Sequence, residues 1–431
     1  MASRAEPTIK ARCKHLIYLY MDGGPSQVDT FDYKPRLAVD HGKTIDFNLP
    51  GRFATKFVMN SPFKFQQHGE SGAWVSEIFP NLSKCVDEIC FIKSMYAKHM
   101  EHPSANIYMA TGTVMRGHPS IGSWLTYGLG SESKDLPGYI VLTDKVEPQG
   151  GLNLFGQGFL SSSHRYSVMN FTRPQAMTDL TRQESTQELQ VEKLKLLKKL
   201  SSFGSSQDPS AGTWESIIKN YELGFQLQSA VPDLLSLDGE SVETRNLYGL
   251  GQPDTDQFGK RCLIARRLIE KGVRVVTLFP PTHPDGNRWD QHEALADLHR
   301  ANARYVDQPI AGLLKDLRSR GLLDETLVVW GGEFGRTPTA ELNNRTKPGR
   351  EHNPFGFCMW LAGGGVKPGI SYGATDEHGY RAVTQPVSVH DLHATILALF
   401  GIDHTRLTFR YDGRDQRLTD VYGKVVSDII A

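Results

Sequence analysis

LIYLYMDGGPSQVDTFD, residues 16–32, sets the architecture: the large apolar residues Leu16–Met21 stop at Asp22, and a Gly23–Gly24 turn comes next. An unbroken apolar run closed by a glycine turn predicts a strand of a parallel sheet covered on both faces. A lone acid at such a strand end is more often a turn or helix cap than a ligand. The role of Asp22 therefore depends on which residues stand at the ends of the other strands.

Further strands are predicted at CFIKSM (90–95), GYIVLT (138–143), VRVVTLFP (273–280), TLVVWGGEFGR (326–336, strand plus turn) and FCMWLAGGG (357–365). Helices are predicted at 76–89, 103–112, 121–130, 256–272, 294–321 and 389–401, with Pro309 kinking or dividing the fifth. Strand–helix alternation at both ends of the chain implies an α/β fold with a mainly parallel sheet and helices on both faces. The stretch 145–255 is the least regular and reads as an insert. Within it, QESTQELQVEKLKLLKKL has Leu189, Leu196, Leu197 and Leu200 on one helical face, as a solvated helix packed on the domain would.

The 431 residues are 39% hydrophobic and 22% charged, an ordinary globular composition. With 48 basic and 48 acidic residues, no net field points to nucleic acid or an anionic membrane as partner. Cys13, Cys85, Cys90, Cys262 and Cys358 form no CxxC and read as free buried thiols. No segment approaches the roughly 20 apolar residues of a membrane span. The N-terminus, MASRAEPTIKARCK, lacks a signal-type apolar core, so the chain reads as cytoplasmic as written or stripped of a leader.

Ligands gather at the carboxyl ends of strands in such sheets, and those ends are chemically consistent here. Asp22 follows the first strand; Lys98, His99, Glu101 and His102 follow the second. His283, Asp285, Asp290 and His292 follow VVTLF, Glu333 and Arg336 follow TLVVW, and GREHNP contributes Arg350, Glu351 and His352. Carboxylates and imidazoles converging from several strands suit one or two divalent cations, with Zn first and Mn, Ca or Mg as harder alternatives. Asp290 and His292, two apart, can reach one ion only from an irregular loop. Two cations and an Arg would clamp a phosphate or sulfate ester.

The segments MDGGPSQVDTFDYKP, SMYAKHMEHPSANIYMATG, WGGEFGRTP, GREHNP, WLAGGGVKPG, YGATDEHGY and VHDLHATILALFGIDH resemble the bacterial DUF1501 family, grouped with the alkaline phosphatase/sulfatase superfamily. The resemblance runs from Lys14 onward and implies one alkaline phosphatase-like α/β/α domain over 14–431, with an extension over 1–13. It implies a metal-dependent hydrolase of phosphate or sulfate esters acting on a small-molecule or polysaccharide ester. Asp22 is similar to the first-strand metal ligand of that superfamily, and Asp290 and His292 to its other metal pair. His102 stands where its nucleophilic serine would, Glu333 takes the place of the acid in its Asp-His-Gly, and His352 matches its late histidine. The resemblance makes Arg336 and Arg350 oxyanion clamps, with Gly23 and Gly24 leaving room for an anion at the backbone. The metal set it implies is Asp22, His102, Asp290, His292, Glu333 and His352. Phe334 replaces the motif's histidine, and there is no Cys-x-Pro-x-Arg, so no sulfatase formylglycine can form. The attacking group is then His102 itself, a metal-bound hydroxide, or Ser26 in second rank. A metal- or glycan-binding protein without turnover, and a phosphoryl transferase or mutase, are the alternatives. Relatives often carry a twin-arginine leader, which would place the protein outside the cytoplasm.

Overall fold

The computed structural model describes residues 9–45, 47, 57–144, 148–170, 184–203, 218, 221–222, 224–225, 227–228, 231–281, 288–340 and 347–431. His283 and Asp285 lie outside the described residues, as does much of the 145–255 stretch.

The first apolar run is β1, His15–Tyr20, buried at every position. It sits inside a nine-stranded sheet with β2 (Ile89–Tyr96), β3 (Tyr139–Thr143), β4 (Ser167–Asn170), β5 (Val275–Leu278), β6 (Thr326–Gly331), β9 (Phe357–Ala362), β10 (Ile370–Tyr372) and β11 (Val387–Ser388). The order is β10-β2-β9-β6-β1-β5-β3-β4, with β11 also on β2. All pairings are parallel except those of β9, which runs antiparallel to both β2 and β6.

Alternation along β1 divides the molecule into layers. Ile17, Leu19 and Met21 enter one core with α3 (Asp256–Glu270) and α4 (Leu295–Ser319). Leu16, Tyr18 and Tyr20 enter the other with α1 (His102–Thr111), α2 (Ile121–Leu129) and α5 (Val389–Leu399). The period-two side-chain alternation of a strand supplies both cores from one apolar run. This is an α/β/α sandwich with a mainly parallel sheet.

Several local expectations change. SEIFPNLSKCVDEI forms only a 3-10 helix over Leu82–Glu88, with Pro80 two residues before it. Pro309 neither ends nor splits its helix, because α4 continues through it to Ser319. Within GREHNP, Arg350–Asn353 is strand β8, paired antiparallel with β7 (Gly335–Ala340). The irregular stretch contributes β4, an edge strand of the sheet. The predicted amphipathic helix spans Gln187–Phe203, with Leu189 and Leu196 exposed. The five thiols are free and buried. Among the described residues no helix is long and apolar enough to cross a membrane.

Trp330 of β6 and Trp360 of β9 stack at 6.0 Å and 2°, both buried, and close the sheet around its antiparallel strand. Trp360→Ala should cost about 3–5 kcal/mol in urea unfolding, while Val39→Ala, on an exposed site, should move stability by under about 0.5 kcal/mol.

Candidate metal centre

The parallel strands bring their carboxyl ends to one edge, and three of them supply the centre. After β2 the chain turns into α1, whose first residue is His102. After β5 an irregular segment carries Asp290 and His292, the condition their two-residue spacing demanded. After β6 the turn at Glu333–Phe334 leads into β7, and β7 pairs with β8, which presents His352.

Side-chain atoms of His102, Asp290, His292 and His352 lie within 4.8 Å of one another. The Nε2 atoms of His102, His292 and His352 stand 3.1, 3.0 and 3.3 Å from one oxygen, Asp290 Oδ1. The Nε2 atoms of His292 and His352 are themselves 3.0 Å apart. Each ring is held from behind. His102 Nδ1 lies 2.6 Å from Glu333 Oε1, and His352 Nδ1 lies 2.6 Å from the carbonyl of Met100. His292 Nδ1 faces Glu351 at 3.5 Å. Carbonyls and carboxylates only accept, so the Nδ1 atoms of His102 and His352 carry the proton and, in the neutral rings, Nε2 offers a lone pair. Such backing is the arrangement that orients metal-ligating histidines. With the Nε2 protons displaced, three inward lone pairs beside a carboxylate would fit a divalent cation of the zinc type.

Arg336 fixes the carboxylate. It is fully buried, and its Nη2 donates to Asp290 Oδ1 at 2.6 Å. Nε donates to the Gly24 carbonyl, Nη1 to that of Arg350, and Nη2 also to those of Gly23 and Trp289. Burial works against the charge on Asp290. Hydrogen bonds from the three imidazoles and the Arg336 charge outweigh it and hold the carboxyl well below the usual range. Burial also opposes protonation of His102, but Asp290 and Glu333 raise its pKa to about 9. Burial lowers that of His352.

Other sequence candidates fall outside the group of four. Glu333 accepts from the Gly23 N–H at 2.9 Å as well as meeting His102, so it stands behind a ligand rather than among the ligands. Asp22 pairs with Arg288 at 2.5 Å, and burial raises its pKa to about 6 despite that partner. Arg350 is fully buried against Asp29, at 2.6 Å, and donates to the carbonyls of Thr337 and Met59. Arg336 and Arg350 therefore direct their donors into the protein and are not placed to clamp an ester. The Ser26 hydroxyl donates to the same Asp29 at 2.5 Å, and its N–H donates to His299 Nε2. A Cβ on Gly23 (φ +104°) would meet the backbone of Trp289 and Asp290 at 2.7 Å, and one on Gly24 would strike the Phe334 ring at 2.6 Å. Gly23 lets the Asp290 segment approach β1.

Two participants gave the sequence reading no warning. Arg288 has no signal beyond standing two residues before Asp290. Phe334, read as a missing histidine, packs its ring at 4.9 Å from His102 and 4.5 Å from His352 and walls the centre.

The profile of the family described as "Protein of unknown function (DUF1501)" matches residues 13–430. The chain belongs to the DUF1501 family. No curated protein matches its sequence. Solved structures similar to this DUF1501 protein include the sulfatase PsFucS1 from Pseudoalteromonas sp., at 14% identity and TM-score 0.40, covering 94% of this chain and 74% of that one. Another is the lipoteichoic acid synthase LtaP from Listeria monocytogenes, at 10% identity and TM-score 0.40, covering 97% and 77%. A third is the C-terminal periplasmic domain of EcEptC from Escherichia coli in complex with Zn, at 11% identity and TM-score 0.37, covering 92% and 84%. Likeness this distant carries no argument about activity.

The centre predicts a pH signature. His102 has a folded pKa near 9 against an ordinary 6.5, so its protonated form stabilises the metal-free fold fully below about pH 6.5. That contribution is lost as pH rises through about 9. Zinc must displace this proton, so apparent zinc affinity should rise with pH up to about 9 and uptake at pH 7 should release protons, by titration calorimetry in two buffers. Glu333→Gln should weaken zinc binding about 10–100-fold without abolishing it.

Proposed function

We propose that this DUF1501 protein is a hydrolase of phosphate or sulfate esters built around a single divalent cation. The observation that carries the reading is the convergence of three imidazole Nε2 atoms on one carboxylate oxygen, with each ring backed by an acceptor. His102, Asp290, His292 and His352 would hold the cation, and three imidazoles with one carboxylate suit zinc before manganese or magnesium. A bound cation would act as a Lewis acid toward an ester oxygen and make water acidic near neutral pH. The ester class rests on the superfamily resemblance of the strand-end motifs.

The chain's own residues prepare the centre. Glu333 keeps the proton on His102 Nδ1, so that Nε2 faces inward. Arg336 keeps Asp290 ionised and fixed from inside the protein. Phe334 shields two of the rings from water on one side. Where the resemblance puts a second metal's ligand, Asp22 is already paired with the Arg288 guanidinium, which favours one cation over two. Ser26 is bound to Asp29 and stands outside this chemistry.

One observation favours a metal-holding protein without turnover: Arg336 and Arg350 turn their donors to carbonyls and carboxylates of the protein rather than toward a substrate oxyanion. Zinc- or manganese-loaded protein assayed with an aryl phosphate and an aryl sulfate separates the two readings. The hydrolase reading expects turnover that falls at least about 100-fold in Asp290→Ala and His352→Ala. Ser26→Ala should retain turnover and lose about 1 kcal/mol of stability. Full metal occupancy without hydrolysis of either ester would establish the non-turnover reading.

A further inference from the structure

A second pocket lies at the far end of α1. It encloses about 330 Å³ between the last turn of α1, the loop after β2, the start of α5 and the segment following the hairpin of Phe409–Tyr411 and Arg414–Gln416. That is the size of a small-molecule site. His102 begins α1, whereas Tyr108, Thr111 and Gly112 line the pocket. At about 1.5 Å per residue the two sites stand roughly 9–15 Å apart along the helix. The loop after β2 joins them as well: Lys98 and His99 line the pocket, and the next carbonyl, of Met100, holds His352.

The lining is cationic in a chain that is neutral overall. Lys98, Arg414 and Arg417 face a single acid, Asp420, which pairs with Arg414. Neither Lys98 nor Arg417 meets a carboxylate among the described residues; Arg417 donates to the Asp420 carbonyl through Nε. One wall is an aromatic platform. Tyr422 is 51% exposed as a residue; its ring carries the Lys98 ammonium 4.5 Å from its centroid and stacks on His390 at 5.1 Å and 28°. His390 is itself fixed, its Nε2–H donating to the Gly112 carbonyl at 2.7 Å. Burial lowers the pKa values of His99, His118 and His390, leaving neutral rings that hydrogen-bond without adding charge. Exposed Met115 adds an apolar flank.

Uncompensated cations select an anion, and a platform rimmed by neutral donors and acceptors selects a ring rich in hydroxyls. We propose that this pocket is a subsite for a sugar ring bearing a sulfate or phosphate group. The anion draws the Lys98 ammonium off the Tyr422 ring toward itself and Arg417, and the sugar's apolar face takes its place on Tyr422, beside Met115. Taken with the ester-hydrolase reading, on which this extension rests, the subsite identifies the substrate as an anionic polysaccharide gripped at one unit and cut at another.

The test titrates the metal-loaded full chain with dextran sulfate, phosphorylated dextran and uncharged dextran at fixed ionic strength, alongside aryl-ester turnover and metal content. Dextran sulfate or phosphorylated dextran should bind and uncharged dextran should not, and the tighter of the two names the anion. Lys98→Gln, Arg417→Gln and Tyr422→Ala should each weaken binding about tenfold, with thermal unfolding, metal content and aryl-ester turnover unchanged. Lys98→Arg should restore binding, and Arg410→Gln, outside the pocket, should leave it intact. No binding, binding of uncharged dextran equally well, or equal binding by wild type and variants would overturn the subsite. Variant-sensitive binding in a protein that hydrolyses no aryl ester would retain the subsite and defeat the hydrolase reading.

Discussion

The guanidinium of Arg336 holds the centre together. From a fully buried position it donates to the carbonyls of Gly23 and Gly24 after β1, of Trp289 after β5 and of Arg350 on β8, and to the carboxylate of Asp290. A buried cation is costly unless its donors are satisfied, and here satisfying them ties three chain segments together. The requirement that one arginine be paired sets the distance between the loop bearing Asp290 and His292 and the strand bearing His352. Arg350, two residues before His352 on that strand, repeats the device with Asp29.

Charge then sets the chemistry. Asp290 Oδ1 faces the three imidazoles and the Arg336 guanidinium, so it stays ionised and directs the rings to one point. Without a cation the same field keeps a proton on His102. Proton and metal therefore compete for one place, and the carboxylate cannot relax away because Arg336 holds it. Gly23 serves the same end through sterics, since any side chain there would push the Trp289–Asp290 backbone from β1.

The sheet and its two cores were legible because β1 and β6 are long apolar runs ended by glycine turns, signals local to the sequence. The gathering of His102, Asp290, His292 and His352 was legible because each follows a strand end or a short motif. Their division of labour was not. Whether Glu333 binds a metal or a histidine, and whether Arg336 meets a substrate or a carbonyl, depends on which side a short turn faces, and no periodicity encodes that. The pairing of Asp22 was hidden for the same reason: its partner, Arg288, lies 266 residues away.

X-ray absorption at the zinc edge of the zinc-loaded protein would decide whether one cation sits among the four side chains. One zinc per chain is expected, with three imidazole nitrogens and one carboxylate oxygen at about 2.0–2.2 Å, and with one imidazole lost from that shell in His352→Ala. Two zinc ions per chain, an all-oxygen shell, or a shell unchanged in His352→Ala would contradict the single-cation centre.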